Sequence, residues 1–273
     1  MQKLKNNKCM VIVLNITIVF GFVWAFVATR SNTIEIMETS NIKQISNKKI
    51  CWGIKKNANH EQPDVGSNNK KILEENNGMC MGNKEEKILY ITFDNGYEAG
   101  YTNQILDVLK KNEVKATFFI TAHYLNTASE LVQRMIEEGH IVGNHTVNHK
   151  SMPEITEQEI KEEVMKLHQA VYEKFGYEMK YIRPPKGEFS ERTIIETNNL
   201  GYQHVMWSFA YVDWDEKKQP NEEKAKKTIL DNLHNGEIIL LHGNSKTNAN
   251  ILDSIIKVIK SQGYEIKSLE EFE

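Results

Sequence analysis

Residues 87–94 read KILYITFD, and NGYE (95–98) stops the run abruptly. Ile88, Leu89, Tyr90, Ile91 and Phe93 form an apolar, β-rich segment that reads as a buried strand. GYTNQILDVLKKN (100–112) then places apolar residues at helical spacing, and KATFFITA (115–122) is a strand again. The alternation continues. Helices are expected at 129–139, 156–175, 190–201, 221–236 and 248–263, and strands at 140–145, 180–185, 202–210, 237–243 and 264–268. Seven strands alternating with helices predict a parallel sheet, closed as a barrel or open and doubly wound. The short strand-to-helix loops favour the barrel.

The chain of 273 residues has room for one large domain with additions. Its 34 basic and 37 acidic residues give a net charge of -3, without the basic field that nucleic acid requires. Cys9, Cys51 and Cys80 show no C-x-x-C spacing, and their odd number gives little support to a Cys51–Cys80 disulfide. MQKLKNNK opens the chain with three lysines and no acid, and residues 10–29 carry no charge at all. Twenty such residues are enough to cross a bilayer, and the basic flank keeps residues 1–9 in the cytoplasm and sends the rest out. An uncleaved transmembrane signal anchor is expected at 10–29, with a cleaved signal peptide as the alternative. Residues 30–86, rich in Asn, Lys, Ser and Glu, read as a linker and pre-barrel segment in which only CWGIK (51–55) and GMCMG (78–82) look able to dock. The domain is expected over 87–273.

In either architecture functional groups belong at the strand ends, and the polar oddities of this chain fall there. Asp94 and Asn95 close the first strand. His145 and His149 lie four apart, so a helical turn would set both imidazoles on one side of a metal, with an oxygen from Asp94 or Asn95 as a third ligand. Arg183 ends a strand ahead of Pro184, Pro185 and Gly187, a stiff loop able to hold a guanidinium in place. Asp213 stands beside Trp214 in an aromatic stretch suited to sugar rings. His242, at the end of IILLH, is a general-acid candidate. The other histidines, His60, His123, His140, His168, His204 and His234, read as linker, packing or surface residues.

Taken in order, TFDNGY (92–97), HTVNH (145–149), RPPKG (183–187), DW (213–214) and LLH (240–242) resemble the five motifs of the polysaccharide deacetylases, the NodB-homology carbohydrate esterases. The resemblance implies a distorted (β/α) barrel and metal-dependent hydrolysis of an N-acetyl group on a sugar polymer. It implies Asp94 as general base, His242 as general acid, Arg183 as the residue orienting the base and Asp213 as the acid tuning His242. It further implies His145, His149 and Asn95 as metal ligands, and Tyr97, Pro185, Gly187, Trp214 and Leu241 as substrate contacts. Most of the family carries a second aspartate where this chain has Asn95, which brings no charge to a metal. The donor set suits zinc, with cobalt or manganese as alternatives.

TFDNGYE, CWGIK, RPPKGEFSE, VDW and GYEIKSLEEF are similar to one subgroup, the deacetylases of endospore formers that lead to muramic-δ-lactam. That likeness, over residues 51–273, implies a substrate of N-acetylmuramic acid in peptide-free peptidoglycan strands of the spore cortex. The competing expectations are a deacetylase of N-acetylglucosamine in peptidoglycan or chitin oligomers, and a catalytically inactive glycan-binding module.

Overall fold

The computed structural model describes residues 45–272. Segment 10–29 lies outside them, and no helix among the described residues is long and apolar enough to cross a membrane. Residues 46–272 belong to one compact unit.

The centre of the fold is β2 (Ile88–Asn95), in which every residue after Ile88 is buried. Along one edge it pairs in parallel with β9 (Glu237–His242). Its other edge is shared between β10 (Glu265–Ile266), against Ile88 and Leu89, and β3 (Thr117–Ile120), against Thr92–Asn95. Beyond β3 the sheet runs through β4 (Ile141–Asn144) and β5 (Tyr181–Ile182) to β7 (Gln203–His204). Beyond β9 it ends at β8 (Phe209–Ala210). All of these pairings are parallel, but β7 and β8 do not pair with each other, so the sheet curls without closing.

The expected single strand at 202–210 is therefore two short strands. The backbone between them turns its polar groups to other partners. Arg183 donates from Nε to the Val205 carbonyl at 3.0 Å, the Met206 amide donates to the Met79 carbonyl at 2.8 Å, and the Ser208 amide donates to Ile238 at 3.0 Å.

Helices cover the outer face. The α2 helix (Thr102–Lys111) buries Ile105, Leu106 and Leu109. After α3 (Ala122–Thr127) and α4 (Ser129–Glu137) comes α5 (Glu157–Phe175), which starts in a Thr156–Glu159 capping box. It ends at Gly176, whose φ of 64° suits a residue without a side chain. The set is completed by α6 (Glu191–Asn199), α7 (Glu222–Asp231) and α8 (Lys246–Ser261). Because successive strand residues point to opposite faces, the alternation sorts the sheet cleanly. Leu89, Ile91, Phe93, Phe118, Ile120, Val142, Ile239 and Leu241 enter the core beneath the helices. Tyr90, Phe119, Ile141 and Ile238 enter a separate core inside the curl. Asp94, Leu240 and His242 share the parity of this interior set.

Residues 46–86 are not a linker. They hold β1 (Ile50–Cys51), which pairs with β6 (Glu188–Phe189), and α1 (Ser67–Glu75). Trp52, Val65, Leu73, Cys80 and Met81 are buried together with Phe189, Ile194 and Met206. Burying side chains of this size stabilises by roughly 1.5–3 kcal/mol each. Cys51 is exposed, Cys80 is buried, and both are free thiols.

Candidate active site

The interior parity brings the strand-end residues to one cavity of about 660 Å³, bordered by Asp94, Tyr97, His145, His149, Trp214 and His242. At its base Arg183 is fully buried, with its guanidinium 4.3 Å from the Phe119 ring centroid. Phe119 fits there because Gly143 has no side chain, and a Cβ at that position would overlap the ring. Arg183 donates from Nη1 to Asp94 Oδ1 at 2.9 Å. Burial pushes the Asp94 carboxyl up, but the charges of Arg183, His145 and His242 outweigh it and hold Asp94 below the usual carboxylate range.

His242 and Asp213 form a second pair. His242 Nδ1 donates to Asp213 Oδ1 at 2.7 Å, which leaves Nε2 for the cavity. Asp213 Oδ2 also accepts from the His242 amide at 2.9 Å and from Asn248 Nδ2 at 2.6 Å. Burial opposes the imidazolium, but the bond to Asp213 and its charge prevail and raise the His242 pKa. The site thus holds an ionised carboxylate and a readily protonated imidazole, a base and an acid in one cavity.

His145 and His149 meet with ring centroids 4.8 Å apart, but not on a helical turn. They lie in the loop after β4, in which Thr146 and His149 take left-handed φ values of 67° and 56°. His145 Nδ1 donates to the Arg183 carbonyl at 2.8 Å, so its Nε2 carries the lone pair. Burial, more than the neighbouring charges, lowers the pKa of both rings, that of His149 to about 4. His145 Nε2 stands 3.5 Å from Asp94 Oδ2. Two lone-pair atoms facing each other at that distance call for a cation or the protons of a water between them. Two imidazoles beside a carboxylate oxygen are donor chemistry that fits a divalent ion.

Asn95 does not join that donor set. It has the parity of Ile91 and Phe93, and its side chain turns outward, where Nδ2 lies 3.4 Å from Thr102 Oγ1 and a Cβ at Gly243 would overlap the amide. Its Oδ1 is buried and has no hydrogen-bond partner. Among the described residues, no three His, Cys, Asp or Glu side chains are grouped as a metal cluster. Leu241 fails as a substrate contact for the same reason, since its side chain packs beneath the helices and Leu240 borders the cavity. Pro185 is buried and does not border it, whereas Lys186 and Gly187 do.

Several contributors carry no motif of their own. Asn244 Nδ2 donates to the Tyr97 hydroxyl at 2.8 Å and to the Trp214 carbonyl at 3.0 Å, tying together two half-exposed aromatic walls. Asn248 fixes Asp213. Trp52 donates from its amide to the Gly187 carbonyl and from Nε1 to the Trp207 carbonyl, each at 2.9 Å. It thereby braces the Arg183–Gly187 loop from below. CWGIK was legible as a docking stretch; what it docks on was not.

A curled parallel sheet with a base–acid pair at its strand ends defines a hydrolase of the amide-cleaving kind. The chain belongs to the polysaccharide deacetylase family, whose family model matches residues 81–205. It is 42% identical over 228 residues to a Bacillus subtilis peptidoglycan-N-acetylmuramic acid deacetylase, covering 83% of this chain and 87% of that one. The solved structure of a Bacillus subtilis family 4 carbohydrate esterase superposes with a TM-score of 0.81 at 42% identity, over 84% of this chain and 98% of that one. A Listeria monocytogenes peptidoglycan-N-acetylglucosamine deacetylase is 35% identical over 69% of this chain, but only 39% of its own length is covered. The enzymes of this family are generally metal-dependent.

Proposed function

We propose that this enzyme removes the acetyl group from N-acetylmuramic acid in peptide-free peptidoglycan strands, and that the freed amine then closes onto the lactyl carboxyl to give muramic-δ-lactam in spore cortex. The observation that carries the reading is the pairing of Asp94–Arg183 with Asp213–His242 around one cavity, in a chain 42% identical over 228 residues to an N-acetylmuramic acid deacetylase.

Asp94 Oδ2 takes the proton of a water that adds to the acetyl carbonyl, while Arg183 keeps Oδ1 fixed. His242, protonated at Nε2, gives its proton to the sugar nitrogen as the C–N bond breaks, leaving acetate and a free amine. Asp213 holds the imidazole in orientation and stabilises its charge. Tyr97 borders the cavity, and its amide N–H is the donor we assign to the oxyanion. His145 and His149 would hold a divalent ion, zinc in our assignment, which when bound would polarise the carbonyl, while Asp94 Oδ2 stays the base. Lactam closure joins the amine to the lactyl carboxyl with loss of water.

A wall substrate agrees with an anchor at residues 10–29 that holds the enzyme on the extracytoplasmic face of the membrane. The test is mass spectrometry of peptide-free strands after incubation with the enzyme and zinc. Acetyl loss from muramic acid with δ-lactam appearing supports the reading. Free glucosamine in its place would assign the enzyme to the N-acetylglucosamine class.

A further inference from the structure

We propose that Lys186 reads a carboxylate on the sugar undergoing deacetylation, which makes this a site selective for anionic amino sugars; the inference rests on the muramic acid reading above. Lys186 borders the cavity on the Arg183–Gly187 loop and is exposed. Its backbone is left-handed, with φ 60° and ψ 6°, a conformation that non-glycine residues adopt at a cost of roughly 1–2 kcal/mol.

The loop does not relax because it is clamped. Gly187, itself at φ 66°, lies against Trp207 and Trp52, and Trp52 holds its carbonyl. A turn held in a costly conformation fixes where this ammonium stem leaves the backbone.

The charge of the cavity gives the ammonium a purpose. Arg183 is buried and already bound to Asp94 Oδ1 at 2.9 Å, so that pair is close to neutral. Among the described residues Lys186 has no carboxylate within salt-bridge distance; Glu154, which feels its charge, is taken by Lys49 at 2.7 Å. Asp213 likewise offsets a protonated His242, so among the described residues Lys186 is the cavity-lining cation left without a carboxylate. Lys186 and His149 border the same cavity.

N-acetylmuramic acid differs from N-acetylglucosamine by a lactyl ether on the carbon next to the acetamido group. Its carboxylate therefore falls beside the reacting amide and not in a distant subsite. A lysine bordering the cavity that His149 and His242 also border can meet that substituent, and glucosamine offers it nothing.

The experiment compares acetate release from peptide-free glycan strands and from the same strands with the lactyl carboxyls converted to methyl esters. The variants are Lys186→Asn, which accepts a left-handed backbone without the charge, and Lys186→Arg, which keeps the charge. Wild type is expected to prefer the acid strands, mainly through KM. Lys186→Asn should reduce that preference about tenfold, the size of one charge-assisted contact, and Lys186→Arg should retain most of it. A muramic-specific wild type whose preference survives Lys186→Asn would overturn this inference alone. A wild type that acts only on glucosamine would overturn the muramic reading and the inference with it.

Discussion

His242 and Asp213 are joined twice: the ring donates to one carboxylate oxygen at 2.7 Å and the His242 backbone amide donates to the other at 2.9 Å. The carboxylate therefore fixes both the ring and the strand end that carries it. Its charge raises the pKa of His242, so the acid form persists upward from the ordinary imidazole range. Activity that needs protonated His242 is present below that raised pKa and is lost as pH rises through it. Asp213→Asn removes the charge and should move the alkaline limb of kcat/KM to lower pH, with a rate loss of about 10²-fold or more. An alkaline limb that stays in place would show that another group sets it.

Arg183 is the only guanidinium bound to Asp94 among the described residues, and neither side chain reaches bulk water freely. Arg183→Met would leave a buried carboxylate without its counter-charge, at a cost of about 3–5 kcal/mol. Urea denaturation should register that loss. Arg183→Lys should not restore activity, because one ammonium cannot reach Asp94 and the carbonyls of Val205 and Met206 from a single position. A fully active lysine variant would contradict this account.

Asn95→Asp looks from sequence like the repair of a metal site and should tighten metal binding. The fold reverses that expectation. The side chain faces Thr102, whose hydroxyl already donates to Glu98 Oε2 at 2.5 Å, so a new carboxylate would be buried on the helix side near another acid. We expect unchanged metal affinity by calorimetric titration and a stability loss of about 1–3 kcal/mol. A clear gain in affinity would mean that the side chain reaches the cavity.

Gly187→Ala would place a Cβ 2.7 Å from the Trp207 ring and 3.2 Å from the Trp52 Cβ, at a φ of 66°. Overpacking and backbone strain together should cost about 1–3 kcal/mol and raise KM as the loop shifts. A denaturation midpoint equal to that of wild type would contradict the clamp.

The order of the strands and their polar ends was legible because long apolar runs such as KILYITFD and EIILLH leave few other readings. The direction of single side chains is carried by period two rather than by the motifs. Counting from Tyr90 assigns Asp94 to the interior and Asn95 to the helices, and counting from Ile238 assigns Leu240, not Leu241, to the cavity. Other features have no local signature. The break at Val205–Ser208 exists because Arg183 and Met79 draw its backbone away, and both lie far off in sequence. Residues 46–86 looked like a linker because their buried side chains, Trp52, Val65 and Leu73, are spaced singly through polar chain and find a core only against Phe189 and Met206.

The most direct test of the central claim is to locate the new amine. Peptide-free glycan strands are incubated with wild type and with Asp94→Asn, released acetate is quantified, and the deacetylated sugar is identified by mass spectrometry. We predict acetyl loss confined to muramic acid in wild type, and at least a 10²-fold slower release with Asp94→Asn. Acetyl loss from glucosamine, or release undiminished without the Asp94 carboxylate, would contradict the account.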